Sequence, residues 1–350
     1  MAKYVIKRLI LALFTVFIIL SLTFILMKLL PFQLIPGKPS AIYSYCNHQV
    51  ALGYAVVFNE QHPEYGSLLY SYTETAVSGK PVTYYFYQTP IMTQYFSWLK
   101  NIFTKWDWGQ STLLEPGVDV MVIIMERLPQ SMICNVLSAI WAVPLGITLG
   151  VVAALNKNKP IDNIISTLVM VFISVPSFVL ITFVIYTFGY TLNWLPSQFA
   201  KDTDSTGMKI ASYVIPVFCL SFGSICGYCR FTRAELTEVM ESEYLLLART
   251  KGLTKKQSII RHALRNAMVP IIPSILAEFI GILGGSMILE SLYGIHGIGS
   301  LFIDSLSGDR DYNVLFVDMA LFTTISLVAG VVLDLSYGFI DPRIRMGEAK

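Results

Sequence analysis

Charge is what this sequence has least of. Of its 350 residues, 14% are Asp, Glu, Lys or Arg and 54% are hydrophobic, whereas roughly a quarter of the residues of a soluble domain are charged. With a mean hydropathy of +0.60, that balance excludes a soluble chain and points to an integral membrane protein. Cysteine is sparse too. Of the five, Cys134, Cys219, Cys226 and Cys229 fall in or beside apolar runs and only Cys46 does not, so no disulfide framework is implied. Cys226 and Cys229 form a CxxC with no second pair and no nearby His, which reads as helix packing rather than metal or redox chemistry. The four histidines, His48, His62, His262 and His296, are scattered. No HExxH and no nucleophile elbow accompany them, which argues against a membrane enzyme. GxxxxGK[ST] is missing as well: Gly37-Lys38 and Gly79-Lys80 are each followed by Pro, leaving no Ser or Thr to hold Mg²⁺. This chain is not an ATPase, is expected to bind no cofactor or metal, and has no feature that calls for nucleic acid.

What is present is apolar length. Crossing about 30 Å of hydrocarbon takes about 20 residues of helix, and six runs qualify, at 9–30, 131–155, 162–190, 210–229, 269–290 and 313–339. The first follows KYVIKR as a secretory signal would. At about 22 residues it exceeds the 7 to 15 of a signal core, and no small-residue cleavage site follows, so it reads as an uncleaved first helix. Cytoplasmic loops carry the excess of Lys and Arg. With the N-terminus inside, the cytoplasmic segments hold Lys3, Lys7 and Arg8, then Lys157 and Lys159, eight basic residues from Arg230 to Arg265, and Arg343, Arg345 and Lys350. Both termini are therefore expected in the cytoplasm. The expected fold is an all-α, six-helix membrane protein with a large external loop domain, containing some β, between helices 1 and 2.

The chain divides in this reading into 1–30 (tail and first helix), 31–130 (external domain) and 131–345 (membrane core, with a cytoplasmic loop at 230–268). In the external part, LLYSYTETAV and VTYYFYQT flank SGKP with β-branched and aromatic alternation. That pattern predicts a hairpin turned at Gly79. QYFSWLKNIFTKWDWG, near 94–109, has helical apolar spacing and three tryptophans, Trp98, Trp106 and Trp108, and is expected to lie along the membrane surface. In the core, Gly146 and Gly150 form a GxxxG and Gly281, Gly284 and Gly285 line the fifth run, allowing close helix approach. Pro144 and Pro176 are expected kinks.

EYLLLARTKGLTKKQSIIRHALRNA, Glu243 to Ala267, is a basic insert between two apolar runs. Glu243 falls in the first turn and Lys251 in the last of an expected helix, as the macrodipole prefers. Gly252 then supplies a left-handed stop, with Leu253 as its apolar contact. Thr254 and Gln257 match a capping box that opens a second helix. Along it Ile260, Ala263, Leu264, Ala267 and Met268 form an apolar stripe, with Lys256, Arg261, His262 and Arg265 mostly outside it. Such a segment can lie on anionic lipid. A tight Gly break between two capped helices better suits a knob inserted into a partner's groove.

These pieces, with others, resemble the inner-membrane permeases of oligopeptide and dipeptide ABC importers. The resemblance rests on YCRFTRAEL at Tyr228 to Leu236, EYLLLARTKGL at Glu243 to Leu253, RHALRNAMVP at Arg261 to Pro270 and LDLSYGFIDPRIR at Leu333 to Arg345. It extends to ERLPQS at Glu126 to Ser131, PLGITLGVVAAL at Pro144 to Leu155 and VPSFV at Val175 to Val179. Departures exist. Pro31-Phe32 stands where the family often has LPGDP, HGIG at His296 to Gly299 replaces PGLG, and RDYN at Arg310 to Asn313 replaces RDYP. At the family's EAA triplet stand Leu246, Leu247 and Ala248.

The resemblance implies a heteromeric importer: a second homologous permease, two cytoplasmic ATPases that carry ATP and Mg²⁺, and an extracytoplasmic peptide-binding protein or lipoprotein. It implies that Ala248, Gly252, Leu253 and the helix after Thr254 fill a groove of one ATPase, while Arg249, Lys251, Arg261 and Arg265 meet its acidic rim. Glu243 and His262 belong to the same loop. The rival reading is a proton-coupled secondary transporter or channel. Ionisable groups within spans are functional by default, and Glu278, Asp318 and Asp334 qualify as residues of a translocation path or of subunit contacts.

Overall fold

The computed structural model describes residues 2–30, 39–65, 67–75, 81–201, 203–307 and 311–340. The hairpin turn at Gly79, Pro31-Phe32, Arg310 and the basic residues of the C-terminal tail lie outside them. In chain order the elements are α1 (Ala2–Leu29), α2 (Pro39–Ala51), β1 (Ala55–Phe58), β2 (Leu68–Thr75), β3 (Pro81–Gln88), α3 (Ile91–Lys105), α4 (Val120–Leu155), α5 (Pro160–Ser174) and α6 (Ser177–Val184). A π-helical turn, Ile185–Thr191, continues α6. Then come α7 (Thr206–Ser212), α8 (Val214–Met240), α9 (Glu243–Thr250), α10 (Lys255–Ser258), a second π turn (Ile259–Ala263), α11 (Leu264–Gly281), α12 (Met287–Tyr293), α13 (Ile298–Ser307) and α14 (Tyr312–Ile340).

Among the described residues, five helices are long and apolar enough to cross a membrane, and six if the pair α5 and α6 counts as one span. That pair bends by 99° at Val175-Pro176, where the proline ends the α-ladder. α4, by contrast, continues through Pro129 and Pro144. The fifth apolar run is not one straight helix either. α11 tightens into a 3-10 turn at Ile282–Gly284 and stops at Gly285, whose φ is +60°.

Contacts gather the chain into two compact units, whose borders run through helices. The first comprises Met1–Ala12, Leu128–Ser300 and Ile325–Lys350. Within it α4 approaches α8 closely. A Cβ on Gly146 would lie 2.8 Å from the Ile225 carbonyl oxygen, and one on Gly150 2.6 Å from that of Cys229. The GxxxG therefore acts as the sequence predicted, by letting backbones touch. Gly281 does not: a Cβ there meets nothing within 4 Å. Cys226 and Cys229 pack with Val169 of α5. Also in this unit, Asp162, 1% exposed, accepts Arg233 Nε at 2.5 Å and Nη2 at 2.8 Å. This bidentate pair ties the start of α5 to α8.

Buried Glu290 organises the turn from α12 into α13. Its carboxylate accepts the Ser286 N–H at 2.8 Å and the Ser300 N–H at 3.0 Å, while Ser131 Oγ accepts the Ile298 N–H at 2.9 Å. A Cβ on Gly297 would collide with Glu290 Oε2 and Ser131 Oγ, and one on Gly299 would sit 2.9 Å from Glu290 Oε2. The glycines of HGIG leave room for this carboxylate.

The second unit comprises Leu13–Arg127 and Leu301–Thr324. The expected hairpin is β2 against β3, with Tyr72 facing Tyr84 and Thr75 facing Pro81. Its sheet has a third strand, β1, which pairs antiparallel to β3 from Ala55–Gln88 to Phe58–Tyr85, giving the order β1-β3-β2. α2 and the sheet share a core of Ile42, Cys46 and Phe86, and Tyr43 stacks on Tyr72 at 4.4 Å. Burial pushes the Cys46 thiol up to about 12, so it is a packing residue rather than a nucleophile.

α3 forms as expected, but its tryptophans do not share one surface role. Trp106 is 64% exposed, whereas Trp98 is buried and stacks on Phe24 at 4.7 Å, with Phe316 edge-on at 5.7 Å. The apolar face of α3 turns onto α1 and α14, and the rings of Phe24 and Phe316 outcompete the lipid interface for Trp98. At the start of α14, buried Asp311 accepts Ser111 Oγ at 2.7 Å and the N–H groups of Thr112, Leu113 and Leu114 at 2.7, 2.9 and 3.3 Å. Those donors close the turn that follows α3.

Candidate functional site

The basic insert folds as helix, glycine turn, helix. α9 opens with Glu243, ends with Lys251 as its C-cap, and stops at Gly252, whose φ of +93° is left-handed and whose N–H donates to the Arg249 carbonyl at 3.0 Å. No atom lies within 4 Å of where a Cβ would stand. Glycine is needed here for its backbone conformation and not for space. Both capping-box bonds are present: the Gln257 N–H donates to Thr254 Oγ1 at 3.3 Å, and the Thr254 N–H donates to Gln257 Oε1 at 3.1 Å.

The predicted apolar stripe holds in part. Ala263 and Ala267 are fully buried and Leu264 and Met268 half-buried, but Ile260 is 55% exposed and Ile259 takes its inward place. The cause is the π turn at Ile259–Ala263. A wider turn inserts an extra residue per loop of backbone and shifts the face by about one position.

One side of the loop is anchored and the other is bare. Leu245, 1% exposed, packs with Leu236, Ala154, Ala263 and Ala267, so α9 is held against α4, α8 and α11. Opposite it, Tyr244, Leu246, Leu247 and Ile260 are exposed. Glu243, Arg249, Lys251, Thr254, Arg261, His262 and Arg265 are exposed as well, and Ala248 and Leu253 half-buried. Of the apolar residues that the resemblance assigns to the groove, Ile260 is thus exposed, and Leu246 and Leu247, which it does not assign, are exposed beside it. Arg249 Nε reaches Ser258 Oγ at 3.5 Å, and Asn266 Nδ2 donates to Tyr244 Oη at 2.9 Å, which brace the loop across its turn. Among the described residues no acid pairs with Arg261 or Arg265. The loop presents apolar side chains ringed by free cations, a surface fit for an acidic-rimmed apolar groove.

The three intramembrane acids have separate settings. Half-buried Glu278 of α11 accepts the Ser224 hydroxyl at 2.5 Å. Asp318 of α14 is fully buried. Asp334 of α14 forms an ion pair with Arg8 of α1. Sequence reasoning gave no role within the spans to Arg8, which lies at the edge of the first apolar run, or to Asp162 with Arg233, Glu290 and Asp311. A charged residue in a chain this poor in charge was the only signal available for each of them.

The family described as "Binding-protein-dependent transport system inner membrane component" matches residues 146–346. The Dipeptide transport system permease protein DppB of Bacillus subtilis (strain 168) is 32% identical over 346 residues, covering 99% of each chain. The Oligopeptide transport system permease protein OppB of Haemophilus influenzae is 30% identical over 345 residues, covering 99% of this chain and 100% of the relative. Among solved structures, the MetNI methionine ABC transporter, in inward-facing conformations, matches with a TM-score of 0.51 at 15% identity, over 63% of this chain and 98% of its own. That last likeness is one of fold. With a family match over more than half of its length and relatives of this identity from end to end, the chain belongs to the binding-protein-dependent transport system inner membrane components.

Proposed function

We propose that this chain is one membrane-spanning subunit of an ATP-driven importer of dipeptides or oligopeptides. It pairs with a second homologous permease, and an extracytoplasmic peptide-binding protein delivers the cargo. Two cytoplasmic ATPases supply the work, so ATP and Mg²⁺ belong to those partners and this chain binds neither. Both termini and the loop at 230–268 face the cytoplasm, which follows from the skew of Lys and Arg.

The observation that carries this reading is the loop itself, anchored by Leu245 and bare along Leu246, Leu247 and Ile260. Those side chains enter an ATPase groove, with Ala248, Gly252, Leu253 and the helix opened by Thr254 setting its shape. Arg249, Lys251, Arg261 and Arg265 meet acids at its rim, with Glu243 and His262 flanking. Because Leu245 locks α9 to α4, α8 and α11, a displacement of the loop moves those helices as a body, and closure of the ATPase pair thereby alternates access to the pore. Glu278, half-buried and hydrogen-bonded to Ser224, belongs to the translocation path or to the contact with the second permease. Asp334, paired with Arg8, ties α14 to α1, while Asp318 remains a candidate for the translocation path or a subunit contact. The ion pair of Asp334 with Arg8 removes one acid from the proton-coupled alternative.

The test is Gly252→Val together with gentle solubilisation of the tagged chain and mass spectrometry of what accompanies it. The wild-type chain brings two ATPases, a second permease and a peptide-binding protein. Gly252→Val inserts normally but loses the ATPases and most peptide uptake. A chain that purifies alone, or a variant with unchanged uptake, overturns the reading.

A further inference from the structure

The second unit holds a cleft of about 90 Å³. Roughly 10–15 Å³ admits one water molecule, so there is room here for a small charged group and a few neighbouring atoms. Its walls are mainly aromatic and aliphatic, with Phe24, Tyr54, Trp98 and Phe316 among them, and Lys28 also lines it. A lysine at the end of a spanning helix ordinarily extends toward lipid headgroups. Lys28 instead turns inward: Nζ sits 4.4 Å from the Tyr54 ring centroid and 5.6 Å from that of Phe24. Among the described residues it has no carboxylate partner.

Four other polar atoms of the lining have no hydrogen-bond partner among the described residues. Gln49 Nε2, Trp98 Nε1 and Trp108 Nε1 are buried donors without an acceptor, and Gln94 Oε1 is a buried acceptor without a donor. Leaving such a group buried and unpaired forfeits its hydration with nothing in return. Three orphan N–H donors and one cation against one orphan acceptor is a bias toward an anion.

We propose that this cleft binds a carboxylate carried on an apolar body. Lys28 supplies the charge, the indole and Gln49 N–H groups supply hydrogen bonds, and the ring walls cover the apolar part. Two sources offer that chemistry: the C-terminus of a short peptide and a free fatty acid. The site stands whether or not the importer reading does.

The experiment uses the full chain in nanodiscs of zwitterionic lipid. Tryptophan emission, to which Trp98 and Trp108 contribute from the cleft wall, is followed during titration with trileucine, trileucine amide and decanoate. Saturable binding of trileucine with at least tenfold weaker binding of its amide assigns the peptide source, and binding of decanoate alone assigns the fatty acid. Both acids binding over the amide supports the shared chemistry. Lys28→Met weakens that binding about tenfold or more, as loss of a charge-assisted bond requires. Lys28→Arg retains it, and Lys105→Met, on exposed α3 surface, leaves it unchanged. Should Lys28→Met fail to accumulate, Gln49→Leu replaces it and also weakens the acid but not the amide. Equal binding of acid and amide, no saturation at millimolar ligand, or indifference to the Lys28 variant overturns the proposal. Failure here leaves ATPase co-purification untouched, and failure there leaves this titration untouched.

Discussion

Gly150 and Gly252 are both glycines in helical neighbourhoods, and they are glycines for opposite reasons. At Gly150 the backbone of α8 stands where a Cβ would go, 2.6 Å from the Cys229 carbonyl oxygen. At Gly252 nothing is near and only the +93° φ matters. The α4–α8 seam is therefore fixed by contact on both sides. The loop is fixed by contact on one side, through Leu245, and by its own backbone on the other. The proposed docking and movement of the loop would need such one-sided anchorage, because a second contact would either block the partner or resist the stroke.

Three substitutions would break or sharpen that contrast. Leu245→Ala removes the anchor, and truncating a fully buried leucine costs about 2–5 kcal/mol. The chain should still insert, while protease cleavage near Thr250 to Lys256 rises sharply in membrane vesicles; unchanged cleavage would show that the backbone alone holds the loop. Next in size, Gly150→Val should strain the seam by about 1–3 kcal/mol, as overpacking does. Lower yield and a lower Tm in detergent are expected, with the loop's protease sensitivity unaltered. The smallest effect belongs to Thr254→Ala, which deletes the capping-box hydroxyl at about 1 kcal/mol. Peptide uptake should fall severalfold with no change in Tm, and Thr254→Ser should restore it. A drop in Tm equal to that of Gly150→Val would erase the distinction between the two regions.

Much of this was legible before any coordinates. Apolar length gave the spanning helices, alternation gave β2 and β3, and Thr254 with Gln257 gave the start of α10, because each is encoded within a few neighbouring residues. Pro176 marked the bend, although its 99° could not be inferred from one proline. β1 has only four residues and is made a strand by pairing with β3, which no local pattern announces. The π turn that exposes Ile260 likewise has no local signature. Trp98 was misplaced because an amphipathic helix looks alike whether lipid or protein covers it. The buried acids were hidden for a different reason: Asp162 finds Arg233 71 residues later and Asp311 finds Ser111 200 residues earlier. In the loop, the anchored face was partly readable from the stripe. The exposed leucines were not, since Leu245, Leu246 and Leu247 are indistinguishable in sequence and only packing selects one of them.

The hydrogen bonds to Asp311 also carry a schedule. Ser111, Thr112, Leu113 and Leu114 are made early, and their acceptor is made about 200 residues later. At roughly 5–20 residues per second of synthesis, the turn after α3 waits on the order of 10 to 40 seconds for its carboxylate. Through that interval its donors must be kept by water or by a chaperone, so the turn after α3 is completed only once α14 has been made.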